Sequence, residues 1–360
     1  MIKMSIENWG LDRASENNSL KGMINRAPGS TTYATPKFLI LFSKSFKWRA
    51  GYIVAFDGDV LVGCLPYVEQ PIVRQISLQA RFTKRIYALP ADCYCGPIVD
   101  PSLSKIESEN AIVAMIEYLL HQYISVSIFP SCWADTGIDS AIERTRISVK
   151  CITYENAIKK LSNIKDSGEL LKSYSSKHRW SVRRAQMRDV IVKRPDDNES
   201  LALFYGLLTE TMGRVGMRPK FPYSLVVGGG RELIKDGLGH LYLAYKDDML
   251  TAGIFTLAHG GATCWWLGAA TRDRNAIADC PMHLLMHHAM ADSLEAGFSF
   301  FELGGIPTDG LRYFKLKWGS ELIVQPTYHI ASNTIHRLFD LGRAVRRTFS
   351  MMQSPRERTK

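Results

Sequence analysis

Two stretches of this chain repeat one another without a gap. Tyr52-Ile53-Val54-Ala55-Phe56-Asp57-Gly58-Asp59-Val60-Leu61-Val62-Gly63 lies over Tyr242-Leu243-Ala244-Tyr245-Lys246-Asp247-Asp248-Met249-Leu250-Thr251-Ala252-Gly253 at a constant offset of 190 residues. Each copy reads as a strand, an Asp-rich tight turn and a second strand with a glycine inside it. A glycine there marks a bulge or a close backbone approach. Strand pairs of this kind are common, so chance similarity competes with duplication, and the equal offset at both ends favours duplication. A duplicated unit confines the fold to two related α/β halves. The 360 residues, 46% of them hydrophobic, suffice for two such cores.

The second copy continues into a strand at Ala262-Thr263-Cys264-Trp265-Trp266-Leu267-Gly268, turned back from Leu257 by His259-Gly260-Gly261. A helix is expected next: Pro281 suits a first turn, Leu284, Leu285, His288, Ala289 and Asp292 recur at helical spacing, and Gly297 is placed to end it. The first copy runs on through Tyr87-Ala88-Leu89-Pro90 and Cys95-Gly96-Pro97 to an apolar helix around Ile106 to Tyr123 and a strand at Ser127-Ile128-Phe129. A boundary near Lys150 to Glu155 separates an N-terminal unit, 31–150, from a C-terminal unit, 151–334. Residues 1–30 and 351–360 read as weakly ordered. Residues 335–360 form a basic tail in which Ile335, Leu338, Phe339, Gly342, Val345 and Phe349 make an apolar stripe. Such a tail can lie on an anionic membrane or pack on the protein's own core.

The formal charge of +10 and pI near 9.2 favour anionic partners: tRNA, nucleotide-linked sugars, acyl-CoA or anionic lipid headgroups. Lys3, Glu7, Asp12, Arg13 and Glu16 interrupt any signal-peptide core, and no run approaches the roughly 18 apolar residues of a membrane span. Seven cysteines without regular spacing fit reduced thiols. A cytoplasmic protein is expected, with peripheral contact at the inner face of the membrane left open.

Near the C-terminus, Phe298-Ser299-Phe300-Phe301-Glu302-Leu303 runs into Gly304-Gly305-Ile306 and then Leu311-Arg312-Tyr313-Phe314-Lys315-Leu316-Lys317-Trp318-Gly319. A strand that stops at a glycine pair, followed by a cationic aromatic segment, puts a lysine beside a strand end, where α/β proteins commonly build ligand sites. This segment resembles the end of the FemABX family, whose members transfer amino acids from tRNA onto the peptide of a cell-wall precursor. The family pattern reads acidic-Leu-x-Gly-Ile, a short gap, then Phe-Lys-x-x-Phe-Gly. Trp318 takes the last aromatic slot here. Strand, strand, strand, helix, strand is also the order of the Gcn5-related N-acetyltransferase (GNAT) core, and FemABX proteins resemble two such cores in tandem. The resemblance implies a tandem GNAT-like α/β (α+β) fold with mixed central sheets flanked by helices.

Lys172 to Arg194 carries eight cations against Asp189 alone. On a helix, Arg179 with Arg183 and Arg184 with Arg188 line one ridge, able to hold phosphates or serving only as a solvated face. The family's Arg-x-x-Ile-Arg-x-Ala-like segment is matched by Arg179-Trp180-Ser181-Val182-Arg183-Arg184-Ala185, which implies substrate contact for Arg183 and Arg184. Its Thr-x-x-Arg is matched at Thr211 and Arg214, after an expected helix from Leu201 to Met212. An arginine there can equally serve as a helix C-terminal dipole partner. Gly228-Gly229-Gly230 reads as a loop.

Acyl-CoA-dependent GNAT enzymes carry an Arg/Gln-x-x-Gly-x-Gly/Ala turn at a helix N-terminus. The corresponding stretch, Thr271 to Pro281, has no glycine and contains Asp279. His283 and His287 share a helical face but lack a His-Glu-x-x-His pattern, so no metal is expected. Nothing marks a serine or cysteine nucleophile. Direct attack of an amine on an activated ester or thioester is the expected chemistry, with positioning and electrostatics supplying the acceleration.

The resemblance thus implies an aminoacyl- or acyltransferase with no cofactor. Its donor would be aminoacyl-tRNA, with acyl-CoA as the alternative, and its acceptor an amine of a cell-envelope precursor such as a peptidoglycan peptide or amino sugar. Lys315 and Glu302 are the expected catalytic residues. Gly304, Gly305, Arg312, Tyr313 and Phe314 join Arg183, Arg184, Thr211 and Arg214 as expected substrate contacts. A CoA-dependent N-acyltransferase of polysaccharide or lipid, or a noncatalytic RNA- or envelope-binding protein, are the rivals.

Overall fold

The computed structural model describes residues 4–71, 84–88, 94–123, 125–145 and 148–331. The tail 335–360 lies outside them. The N-terminal half contains β1 (Ser5–Gly10), β2 (Ala50–Asp57), β3 (Val60–Pro71), β4 (Lys84–Ala88), β5 (Ile98–Val99) and β6 (Ser125–Ile128). Its helices are α1 (Leu11–Glu16), α2 (Asn18–Arg26), α3 (Pro36–Phe46), α4 (Lys105–Gln122) and α5 (Ile138–Arg144). The C-terminal half contains β7 (Val149–Lys160), β8 (Ile191–Lys193), β9 (Gly239–Lys246), β10 (Met249–His259), β11 (Ala262–Ala270), β12 (Phe300–Gly305) and β13 (Glu321–Ala331). Its helices are α6 (Ser167–Lys172), α7 (Ser176–Met187), α8 (Asn198–Gly213), α9 (Gly230–Lys235), α10 (Arg274–Ala278), α11 (Pro281–Glu295) and α12 (Asp309–Leu316).

Local chemistry starts the helices where the sequence places it. Ser104 and Glu107 close a reciprocal capping box on α4. Thr35 caps α3, whose first residue is Pro36, and Asp197, Ser175 and Thr308 cap α8, α7 and α12. The repeated hairpins form as β2–β3 and β9–β10. Asp247 and Asp248 both take positive φ in the second turn, as a two-residue hairpin requires. Each second strand carries a bulge: pairing skips Val62 between Leu61 and Gly63, and Thr251 between Leu250 and Ala252.

Thirteen strands of the described residues join in one mixed sheet, ordered β1-β2-β3-β4-β6-β13-β7-β12-β11-β10-β9-β8, with β5 on β3. Each half has one parallel pair among otherwise antiparallel neighbours, β4 with β6 and β11 with β12. The tandem fold expected from the sequence is therefore present, but its halves are fused. The boundary expected at Lys150 to Glu155 falls inside β7, which pairs with β13 along most of its length. From there β13 reaches across to β6, pairing Tyr328 with Ile128 and Ala331 with Ser125. Backbone groups in a central strand need partners on both edges, so the segment cannot serve as a linker.

The cores repeat this fusion. One cluster packs Trp9, Leu20, Phe38, Phe42 and Tyr52 from the first half against Phe204, Phe221, Leu225 and Phe255 from the second. Two others lie under α4 and α5, and under α7 and α11. Fully burying one large apolar side chain contributes roughly 1.5–3 kcal/mol, so a core drawn from both halves joins them strongly.

Two further expectations are corrected. Residues 4–30 are not weakly ordered: β1 pairs with β2 from Ser5–Phe56 to Gly10–Gly51, and α2 buries Leu20, Met23 and Ile24. The polar letters of that segment occupy one helical face while the apolar ones recur at helical spacing. Gly228-Gly229-Gly230 is not a loop, since a π-helical turn (Ser224–Gly229) runs directly into α9. Gly230 is glycine for want of room, because a Cβ there would lie 2.7 Å from the Phe255 ring.

The repeat's glycine gives a test of close packing. A Cβ on Gly253 would lie 2.6 Å from Phe204, whereas one on Gly206, inside α8, would meet nothing within 4 Å. Gly253→Ala should destabilise by roughly 1–3 kcal/mol through overpacking, and Gly206→Ala should stabilise by roughly 0.5–1 kcal/mol through helix propensity. Chemical denaturation of both variants measures the opposite signs.

Candidate active site

The parallel ladder between β11 and β12 lasts for three residue pairs, ending at Cys264 and Glu302. Beyond that point the strands part. β11 stays on β10 as far as Ala270, while β12 bulges after Glu302 and stays on β7 through Gly304–Ala157 and Gly305–Asn156. Between them opens a cleft of about 570 Å³, walled by Cys264 to Ala270 on one side and Glu302 to Gly305 on the other.

Lys315 reaches this cleft from α12. Only 6% exposed, it donates from Nζ to the Gly305 carbonyl at 2.6 Å and lies 5.7 Å from the centre of the Trp265 ring. Gly304 has φ +79, and a Cβ there would stand 3.6 Å from Nζ. A Cβ at that distance would be tolerated, so glycine is required here for the left-handed turn. Burial pushes the Lys315 ammonium down to about 8, against an upward pull from Glu302. Glu302 is 2% exposed, and the Cys264 thiol donates to its carboxylate.

What holds α12 in place is a stack of rings. Phe314 packs against His178 at 5.2 Å and His283 at 5.4 Å, and Trp318 lies 4.5 Å from His178. His178 Nε2 meets the Phe314 carbonyl at 3.0 Å. Burial lowers His178 to about 4 and His283 to about 3, so both are neutral at pH 7. His283, which invited a zinc reading from sequence, is thus packed as a ring against His178. A second buried lysine, Lys159, donates to Ser173 Oγ at 2.7 Å and to the Gly319 carbonyl at 3.2 Å, fastening the turn after α12.

Thr211 and Arg214 also line the cleft. Thr211 Oγ1 donates to the Ala270 carbonyl and accepts from the Ala270 amide, and Arg214 donates to the same carbonyl at 2.7 Å and to Thr211 Oγ1 at 2.9 Å. They fasten the far end of β11. The Trp265 indole donates to the Leu267 carbonyl and covers Gly268, where a Cβ would meet its ring at 2.7 Å.

The structure therefore gathers Glu302, Gly304, Gly305, Lys315, Thr211 and Arg214 around one cleft. It does not bring the remaining expected residues there. Arg312 pairs with Glu155, Tyr313 is exposed between Lys177 and Lys317, and Phe314 supports α12 from behind. Arg183 is exposed on α7, while Arg184 donates to the Ala278 carbonyl and, with Arg188, faces Asp279. Asp279 thus counters part of the basic ridge directly before α11, where Pro281 removes one amide donor. Sequence reasoning missed Trp265, Asn156 and Tyr94. Asn156 donates to Gln325 beneath the cleft, and Tyr94 brings the N-terminal half to its rim, with its hydroxyl 3.5 Å from Asn156 Oδ1. Trp265 stood within an expected strand, but nothing in the sequence said which of its faces would meet a cleft.

Residues 172–315 match the family described as acetyltransferase (GNAT) domain. Among solved structures, FemX superposes with a TM-score of 0.71 at 15% identity, over 93% of this chain and 99% of that one. The C-terminal domain of a putative lysylphosphatidylglycerol synthetase from Agrobacterium fabrum gives 0.60 at 14% identity, over 93% and 96%. The L-PGS structure from Bacillus licheniformis gives 0.55 at 14%, over 89% and 93%. No curated protein matches at the level of sequence. The chain shares the fold of FemX, and residues 172–315 resemble an acetyltransferase (GNAT) domain.

A buried ammonium has a cost to the fold. The lowered value of Lys315 means that the unfolded chain binds its proton more tightly than the folded one, so this group disfavours folding below about pH 8, and stability rises with pH from there toward 10.5. Lys315→Met should consequently melt no lower than the parent at pH 7, and the difference between the two should shrink above pH 9. Thermal melts across that range measure both.

Proposed function

We propose that this protein moves an aminoacyl group from aminoacyl-tRNA to an amine of a cell-envelope precursor, a peptidoglycan peptide or a surface amino sugar. The observation that carries the reading is Lys315 buried against Gly305 where β11 and β12 part. The acceptor amine attacks the ester carbonyl carbon, and the new C–N bond forms as the carbonyl oxygen takes negative charge. Collapse breaks the ester C–O bond, and the amine's proton leaves with the departing ribose oxygen. A fixed ammonium beside the glycine backbone stabilises the oxyanion without reorganisation, and loss of one such donor commonly costs about 3 kcal/mol, or about a hundredfold in rate.

Two features favour tRNA over a CoA thioester as donor. The stretch before α11 has no glycine for close approach to a pyrophosphate, and Asp279 is charged in the same place. Backbone groups along the cleft side of β11 are also already engaged by Trp265, Thr211 and Arg214. The match of residues 172–315 to an acetyltransferase domain favours the second reading, a CoA-dependent N-acyltransferase. Titration with aminoacyl-tRNA, deacylated tRNA and acyl-CoA separates them. Saturable transfer from the first supports the proposal, and turnover with acyl-CoA alone replaces it with the second. Binding of deacylated tRNA without transfer from any donor leaves a noncatalytic RNA-binding protein.

Lys315→Met should lose about a hundredfold in turnover while folding normally, and Lys317→Met should lose little. The wild-type rate should fall as pH rises through about 8, where the Lys315 ammonium loses its proton. That alkaline limb should be absent from the residual rate of Lys315→Met. A well-folded Lys315→Met enzyme with parental turnover would remove this lysine from the chemistry.

A further inference from the structure

The chain between α8 and the π-helical turn forms one rim of the cleft, since Arg214, Lys220 and Phe221 line it. Phe221 anchors this loop: it is buried against Trp266 at 4.9 Å, and its carbonyl accepts from the Tyr205 hydroxyl at 3.3 Å. The first turn of the loop is also tied down, with the Val215 and Met217 amides both donating to the Met212 carbonyl at 3.1 and 3.0 Å. On this fastened backbone two apolar side chains point away from the protein. Val215 is 68% exposed and Met217 58% exposed, and Tyr223 is exposed at the loop's end.

The charge around them is of one sign. From Thr211 to Arg231 the chain holds Arg214, Arg218, Lys220 and Arg231 and no acidic residue. Arg218 and Lys220 are exposed beside the apolar pair. Exposed apolar side chains flanked by cations suit an anionic lipid interface, where the former enter the headgroup boundary and the latter meet phosphates. No helix of the described residues is long and apolar enough to cross a membrane, so lipid contact at this site is a surface contact.

We propose that the loop from Arg214 to Tyr223 docks the cleft on an anionic membrane, by insertion of Val215 and Met217, so that an acceptor held at the lipid surface enters between β11 and β12. The purpose of this docking rests on the transferase reading. The docking itself is measured without donor or acceptor, so its failure leaves that reading standing.

The test uses the full chain and vesicles of phosphatidylcholine with or without phosphatidylglycerol. The parent should co-sediment with the anionic vesicles, less so as salt rises, and only weakly with phosphatidylcholine alone. Val215→Asp combined with Met217→Asp should weaken partitioning by at least about tenfold, with unchanged circular dichroism. The indole introduced by Met217→Trp should shift its fluorescence to the blue on vesicle binding and be quenched by brominated phosphatidylglycerol. Equal partitioning of the double variant and the parent, with an unquenched indole in the Met217→Trp chain, would overturn the proposal. So would a double variant that keeps vesicle binding but loses tRNA binding, since the surface would then belong to nucleic acid.

Discussion

Everything at the candidate site depends on a ladder that stops. β11 and β12 pair for three residues and then follow different neighbours, and no side chain could line a cleft there if they stayed together. Two local features sustain the parting. The bulge after Glu302 and the positive φ of Gly304 turn β12 away, and Thr211 with Arg214 holds the end of β11 on the other side. The opening also governs the electrostatics, because it gives Lys315 a place that is dry enough to depress its ammonium and polar enough to retain it beside Gly305 and Glu302.

The same site explains why the halves are fused. Tyr94 comes from the N-terminal half, Asn156 from the strand that runs through the expected boundary, and Gln325 from the strand that bridges to β6. Gln325 in turn donates to the Pro130 carbonyl at 2.5 Å. A cleft whose floor is assembled from both halves keeps its geometry only if they cannot move independently. The shared core and the continuous sheet supply that restraint.

Much of the architecture was legible because it is written in local patterns. The repeated hairpins, the helix begun at Pro281 and the helix around Ile106 to Tyr123 each have a period, a cap or a turn residue that acts over a few positions. The errors came where a local signal had a nonlocal meaning. Gly228-Gly229-Gly230 carries the letters of a loop, but Gly229 packs against Leu41 of α3 and Gly230 against Phe255. Residues 1–30 look polar until β1 finds β2, and Lys150 to Glu155 looks like a boundary until β13 pairs along it.

The sequence by itself determined the α/β class, the two matching hairpins, and the grouping of Glu302, Gly304, Gly305 and Lys315, since these last lie within fourteen positions joined by a strand end and a short helix. Tertiary structure alone decided which other residues join them. Thr211 and Arg214 arrive from α8 by packing on Ala270, while Arg183 and Arg184, equally basic in the sequence, face away toward solvent and Asp279. A charge is visible in the chain, but whether it meets a cleft depends on which face of its helix the core has buried, and that is settled by contacts between residues far apart in sequence.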